Sequence, residues 1–151
     1  MLQQRMEASK TMMTVQKKIV QEIVEEYKDD SDVLGIRLLG SVGRDEERPD
    51  SDVDIEIVKR EGKEWHWKKK EKYGVHIDFV TSTKDHLNHQ FEHYPYLCHI
   101  DLDKKILHDP TGFLEDLRQK IETYMKQHPK VLKFWSEHFK EMKNVKAQGR
   151  K

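Results

Sequence analysis

The chain has 151 residues, enough for one domain built round a single modest core. Lys plus Arg equals Asp plus Glu at 28 each, and a zero formal charge argues against a protein whose main task is gripping nucleic acid. Charged residues (37%) outnumber hydrophobic ones (35%), so the core must be small and the helices charged on their outer faces.

Met12, Val15, Ile19, Ile23 and Tyr27 recur at spacings of three and four, which predicts an amphipathic helix over about residues 10–28. Asp29-Asp30-Ser31-Asp32 breaks it, and the apolar run Val33-Leu34-Gly35-Ile36-Arg37-Leu38-Leu39 suits a buried strand ending at Gly40-Ser41. Val42 to Ser51 is polar, a turn or one short helix. Asp52-Val53-Asp54-Ile55-Glu56-Ile57-Val58 alternates acid and aliphatic residues, the period of a strand with one buried face and one carboxylate-bearing face. Residues 59–72, rich in Lys, Glu and Trp, read as a hairpin connection with ragged strand ends. Val75 to Thr81 alternates again, with Asp78 on its polar face. A helix over about 83–93 follows, capped by Ser82 or Thr83. Lys104 to His108 reads as a last edge strand. Phe113, Leu114, Leu117, Ile121 and Met125 define a helix that Pro129 stops, and Val131, Trp135, His138, Phe139 and Met142 define another.

Three polar features carry chemistry: Gly40-Ser41 after a strand, Asp52-x-Asp54 on the next strand, and Asp78 on a third. Residues 52 and 54 point to one face of a sheet, about 7 Å apart, and Asp78 joins them if its strand is adjacent. Three clustered carboxylates repel one another unless a cation lies between them, and hard oxygen ligands with open positions suit Mg²⁺. A Gly lets backbone approach a phosphate, and a Ser at a helix start offers its hydroxyl beside free N–H groups. Phosphate at one end and metal at the other is the layout of phosphoryl or nucleotidyl transfer.

Gly40-Ser41-Val42-Gly43-Arg44 followed by Ser51-Asp52-Val53-Asp54-Ile55 resembles the signature of the DNA polymerase β-type nucleotidyltransferase superfamily. The resemblance covers roughly residues 33–81. It implies an α+β fold, a small mixed sheet flanked by helices, with two Mg²⁺ ions bridged by Asp52 and Asp54. It further implies that Asp78 completes one metal site and helps accept the proton of an attacking hydroxyl. Gly40 and Ser41 would hold the β- and γ-phosphates of ATP or another nucleoside triphosphate, and pyrophosphate would leave. Arg44 matches a position that is often basic, where steadying the triphosphate competes with an exposed salt bridge.

Residues 1–151 thus read as one nucleotidyltransferase domain: a catalytic core over about 10–110, C-terminal helices over about 112–143, and a frayed tail at 144–151. Two branches compete. Compactness resembles the minimal nucleotidyltransferases, which pair with a helical HEPN-type partner as antitoxins and attach AMP to a tyrosine of it, although Asp45 stands where that group usually has Gly. Gly-Ser-x-Gly-Arg, Glu64-Trp65-His66-Trp67 and the Ile106–Gly112 turn resemble the aminoglycoside nucleotidyltransferases, which carry a further helical domain for the acceptor. The minimal type ranks first, its acceptor pocket completed by a helical partner or a second copy. The rival of another class is an antitoxin or adaptor that neutralises a partner by contact alone.

Other motifs take plainer readings. Cys98, the single cysteine, excludes an internal disulfide and reads as a small buried hydrophobe. His86, His89 and His93 share one helix face, better read as polar surface near a cleft than as a zinc site. Trp65, His66 and Trp67 with Lys68-Lys69-Lys70 suit a solvated hairpin tip with one aromatic buried, ahead of a base-stacking site. Phe134, Trp135 and Phe139 read first as core and second as a partner interface. No apolar run approaches the ~18–20 residues of a membrane span, and no secretory signal is expected, so the cytoplasm is the expected compartment.

Overall fold

A computed structural model of the chain describes residues 13–62 and 65–138. Thr14, whose side chain accepts from the Lys17 N–H at 3.2 Å, caps helix α1 (Val15–Tyr27). Its apolar stripe, Ile19, Val20 and Ile23, is buried as the spacing required; Met12 lies outside the described residues. Strand β1 (Val33–Leu39) runs straight into a single helical turn, α2 (Gly40–Gly43). Strands β2 (Val53–Lys59), β3 (His66–Lys72) and β4 (Val75–Thr83) follow. Helix α3 (Lys84–His93) is capped by Thr83, which accepts from the His86 N–H at 3.1 Å. A 3₁₀ segment (Pro95–Asp103), edge strand β5 (Lys105–His108) and helix α4 (Phe113–Gln127) complete the order. Residues 129–138 are helical again, with Pro129 opening that helix, where its missing N–H is harmless. Phe139, Met142 and the tail at 144–151 lie outside the described residues.

The strands form one mixed sheet in the order β3-β4-β2-β1-β5. β2 runs parallel to β4, and the other neighbours are antiparallel. The α+β class and mixed sheet match the expectation. The reading of residues 59–72 needs correcting, because 66–72 make a full strand paired to β4 along its whole length. Its sequence shows no apolar alternation because neither face of β3 is covered: all seven residues are exposed. Tyr73 and Gly74, both at positive φ (54° and 76°), make the two-residue hairpin between β3 and β4. β4 then inserts between β3 and β2, which brings Asp78 beside Asp54.

Period-2 alternation sorts the side chains onto two faces. On one, Ile36, Leu38, Val53, Ile55, Ile57, Ile77 and Phe79 pack under α1. On the other, Leu34 and Val58 pack with Leu87 of α3, Cys98, and Leu114, Leu117, Ile121 and Met125 of α4. Helices therefore cover both faces of the central strands, which is why β1 is buried through Leu38. The second face is left open where Asp54 and Asp78 stand. Among the described residues no helix is long and apolar enough to cross a membrane.

Candidate active site

β1, β2 and β4 carry the site because their register puts Leu39 opposite Asp54 and Asp54 opposite Asp78. Directly opposed residues share a face, so the two carboxylates stand side by side, both half-buried. Burial, a hydrogen bond with Asp78, and the negative charges of Asp78 and Asp52 push the Asp54 carboxyl from 3.8 up to about 6, against the opposing pull of Arg44. Asp52 stands just before β2, exposed, yet near enough for its charge to be felt. Among the described residues no three His, Cys, Asp or Glu side chains are gathered closely enough to hold a metal ion as they stand. The carboxylates are thus a tight pair with a third at its rim.

That pair suits a hard divalent cation, since mutual repulsion is the strain a cation would relieve. Gly40 adds a second fitting feature. It sits at φ +67°, and a Cβ there would come 2.6 Å from Asp54 Oδ2. The bare Cα leaves the space above that oxygen open and lets β1 turn sharply into α2. Gly40→Ala is expected to fill that space and strain the turn: activity should drop by two orders of magnitude or more, roughly 3 kcal/mol, with a Tm lower by several degrees. Ser41→Ala should weaken triphosphate binding by about 1–2 kcal/mol, read by calorimetry with a non-hydrolysable analogue. Unchanged affinity in both variants would make the Gly-Ser step only a turn.

Arg44 is engaged at the surface, its Nε donating to Glu46 Oε2 at 3.2 Å. The competing salt bridge is therefore present, although its charge still reaches Asp54.

Two further side chains support the site. Gln16 is buried on α1, and its Nε2 donates to the carbonyls of Arg48, Pro49 and Ser51 at 3.0–3.1 Å, pinning the loop that delivers Asp52. Glu56, the next residue after Asp54 on the same face, lies at the centre of a buried ion cluster. Its Oε1 takes Arg37 Nη2 at 2.5 Å, its Oε2 accepts from Ser82 Oγ at 3.1 Å, and Lys104 Nζ lies 3.9 Å away. Arg37 also reaches Asp101 at 3.4 Å, which takes Lys104 at 2.8 Å, so the cluster ties the 3₁₀ segment beneath the sheet. Burial alone would push Glu56 up, but the charges of Arg37 and Lys104 and the Arg37 and Ser82 hydrogen bonds hold it below its ordinary value. The available signal was Arg37 inside an otherwise apolar strand, because a charge there demands a buried partner.

A sequence model of the nucleotidyltransferase domain matches residues 17–108, more than half of the chain and all the strands just described. The chain belongs to the nucleotidyltransferase domain family. A nucleotidyltransferase-like protein from Exiguobacterium sibiricum 255-15, known from a crystal structure, has a similar fold, with a TM-score of 0.52 and 18% identity. The match covers 68% of this chain and 37% of that one, so this domain spans little more than a third of that protein's length. No curated protein matches the sequence.

Around the domain's site, Cys98 matches its expectation while the aromatic motifs do not. Cys98 is buried, and that burial pushes its thiol up to about 11. The His89 and His93 rings lie 4.3 Å apart on α3, tilted at 42°, and among the described residues the three histidines form no metal-binding group. Neither Trp65, just before β3, nor Trp67 on it is buried, the two being 51% and 53% exposed, because the strand is an uncovered edge. Phe134 is 60% exposed, which overturns its reading as core, while Trp135 is partly buried and donates its Nε1–H to the Tyr96 carbonyl.

Proposed function

We propose that this domain transfers a nucleoside monophosphate, AMP from ATP by preference, to a hydroxyl of a protein or small molecule. The observation that supports this reading most directly is the opposition of Asp54 and Asp78 beside the bare Cα of Gly40. The attacking hydroxyl oxygen bonds to the α-phosphorus, the bond from that phosphorus to the bridging oxygen breaks, and pyrophosphate leaves. Asp78 helps accept the hydroxyl proton. Gly40 and Ser41 hold the β- and γ-phosphates, and Arg44 lends positive charge nearby. Asp52, Asp54 and Asp78 would hold the Mg²⁺ ions, which would neutralise charge on the transferred phosphate.

Incubation with each labelled nucleoside triphosphate, Mg²⁺ and a host lysate tests this reading. Label from the α-phosphate, and not from the γ-phosphate, should appear on an acceptor. No transfer with any of the four would overturn the enzymatic assignment.

The exposed Phe134 favours one addition. The acceptor pocket is completed by another chain, a helical HEPN-type partner or a second copy, docking beside residues 129–138. A partner neutralised equally well by the Asp54→Asn protein would favour a contact-only antitoxin. A monomer that adenylylates a small molecule unaided would favour the antibiotic-modifying branch.

A further inference from the structure

The register of β3 carries a consequence for the acceptor. Across the sheet, Leu39, Asp54, Asp78 and Lys69 form one row of directly opposed residues, and Trp67 stands opposite Val80 in the row beside it. Odd-numbered β3 residues therefore share the carboxylate face. Two contacts establish this independently. Trp65 lines a cavity of about 160 Å³ together with Glu56, Leu87 and Lys104, all on that face. Lys70 lies over the Phe79 ring at 4.3 Å, on the opposite face. Trp67 is thus diagonal to Asp78, about 7–8 Å away, well within reach of an indole.

Displacement at phosphorus places the leaving group and the nucleophile on opposite sides of the transferred phosphate. If Gly40 and Ser41, at the end of β1, hold the leaving phosphates, the nucleophile comes from the side of β4 and β3. We infer that Trp67 is a specificity-determining residue on the acceptor side, its indole giving a stacking face to the ring that bears or adjoins the attacking hydroxyl. This rests on the nucleotidyl-transfer reading above. An indole face accepts both an aromatic ring and the C–H face of a sugar ring, so the shared chemistry is a flat, apolar-faced ring next to a hydroxyl. Two exposed tryptophans, Trp67 on the edge strand and Trp65 just before it, on the same face as the carboxylate pair, are what such a platform requires.

The test uses the methyl, phenyl and glucosyl esters of AMP as probes, each occupying the acceptor side with a different group. Their affinities are measured by calorimetry with Mg²⁺, alongside a non-hydrolysable ATP analogue that has no acceptor group. In the native protein a ring ester should bind roughly 5- to 100-fold more tightly than the methyl ester, the range expected for one stacking contact. Trp67→Ala should erase that preference, Trp67→Phe should keep most of it, and both should bind the ATP analogue within about twofold of the native protein. Trp67 is half exposed, so its replacement should leave the thermal midpoint nearly unchanged. A preference for the phenyl ester identifies an aromatic acceptor, and one for the glucosyl ester a sugar. No ring preference, or one that survives Trp67→Ala, overturns the inference while leaving nucleotidyl transfer standing. Loss of ATP-analogue affinity in Trp67→Ala also overturns it, by placing the nucleobase there. Failure of the native protein to bind the analogue with Mg²⁺ overturns the functional reading and this inference together.

Discussion

Asp54→Asn is expected to abolish nucleotidyl transfer while leaving the fold intact. In the proposed mechanism the substitution removes one charge from a carboxylate that would hold Mg²⁺, and a metal ion supplies several kcal/mol of transition-state stabilisation. A drop of at least about a thousand-fold, on the order of 4 kcal/mol, should follow. Asp52→Asn should impair transfer comparably, since the same proposal has Asp52 hold the metal with Asp54.

Stability should move the other way. Burial and the neighbouring carboxylates hold Asp54 at about 6, above its ordinary 3.8. The folded protein therefore carries more protons than the unfolded chain between those two values, and its metal-free stability falls as pH rises through that window. The asparagine variant lacks the charge and should escape that fall. Above pH 6, without metal, it should melt at or slightly above the native protein, and the difference should shrink towards pH 4. Thermal melts across that range, with chelator and then with Mg²⁺, provide the check. Native-level activity in the variant would remove Asp54 from the catalytic machinery, whatever the melts show.

Arg37→Ala should produce the largest loss of stability of any single change discussed. Arg37 and Glu56 are both nearly inaccessible, and the arginine also holds Asp101. Its removal leaves two buried carboxylates with Lys104 as their remaining cation in the cluster, 3.9 Å from Glu56 and 2.8 Å from Asp101. Breaking a buried pair from one side costs about 3–5 kcal/mol, equivalent here to a Tm lower by roughly 10 °C or more. The double variant Arg37→Met with Glu56→Leu should recover much of that loss, because two apolar groups of similar size leave no orphaned charge between them. Asp101 would keep Lys104. Denaturant unfolding of the two single variants and the double variant reads the coupling directly. If Arg37→Ala loses less than about 1 kcal/mol, the cluster is hydrated and does not anchor the 3₁₀ segment.

The chemistry of the site was legible residue by residue, because its elements are local. The 3.6-residue spacing of Ile19 and Ile23 specified α1, alternation from Val53 to Val58 specified β2, and Gly40 marked a turn that only a residue tolerating positive φ makes easily. Asp54 and Gly40 could be singled out because their roles follow from side-chain type and strand period. What the sequence could not order was the sheet itself. That β4 lies between β2 and β3, and so sets Asp78 against Asp54, depends on pairing between strands distant along the chain, on which local periodicity is silent. Edge position also reversed two expectations. Trp65 and Trp67 stay exposed because no helix covers either face of β3, and Phe134 lies open although its helical spacing resembles that of a core residue. The partners of Arg37 and Gln16 were likewise invisible, since a buried polar group declares in sequence only that it needs a partner, and the packing of distant segments decides which one.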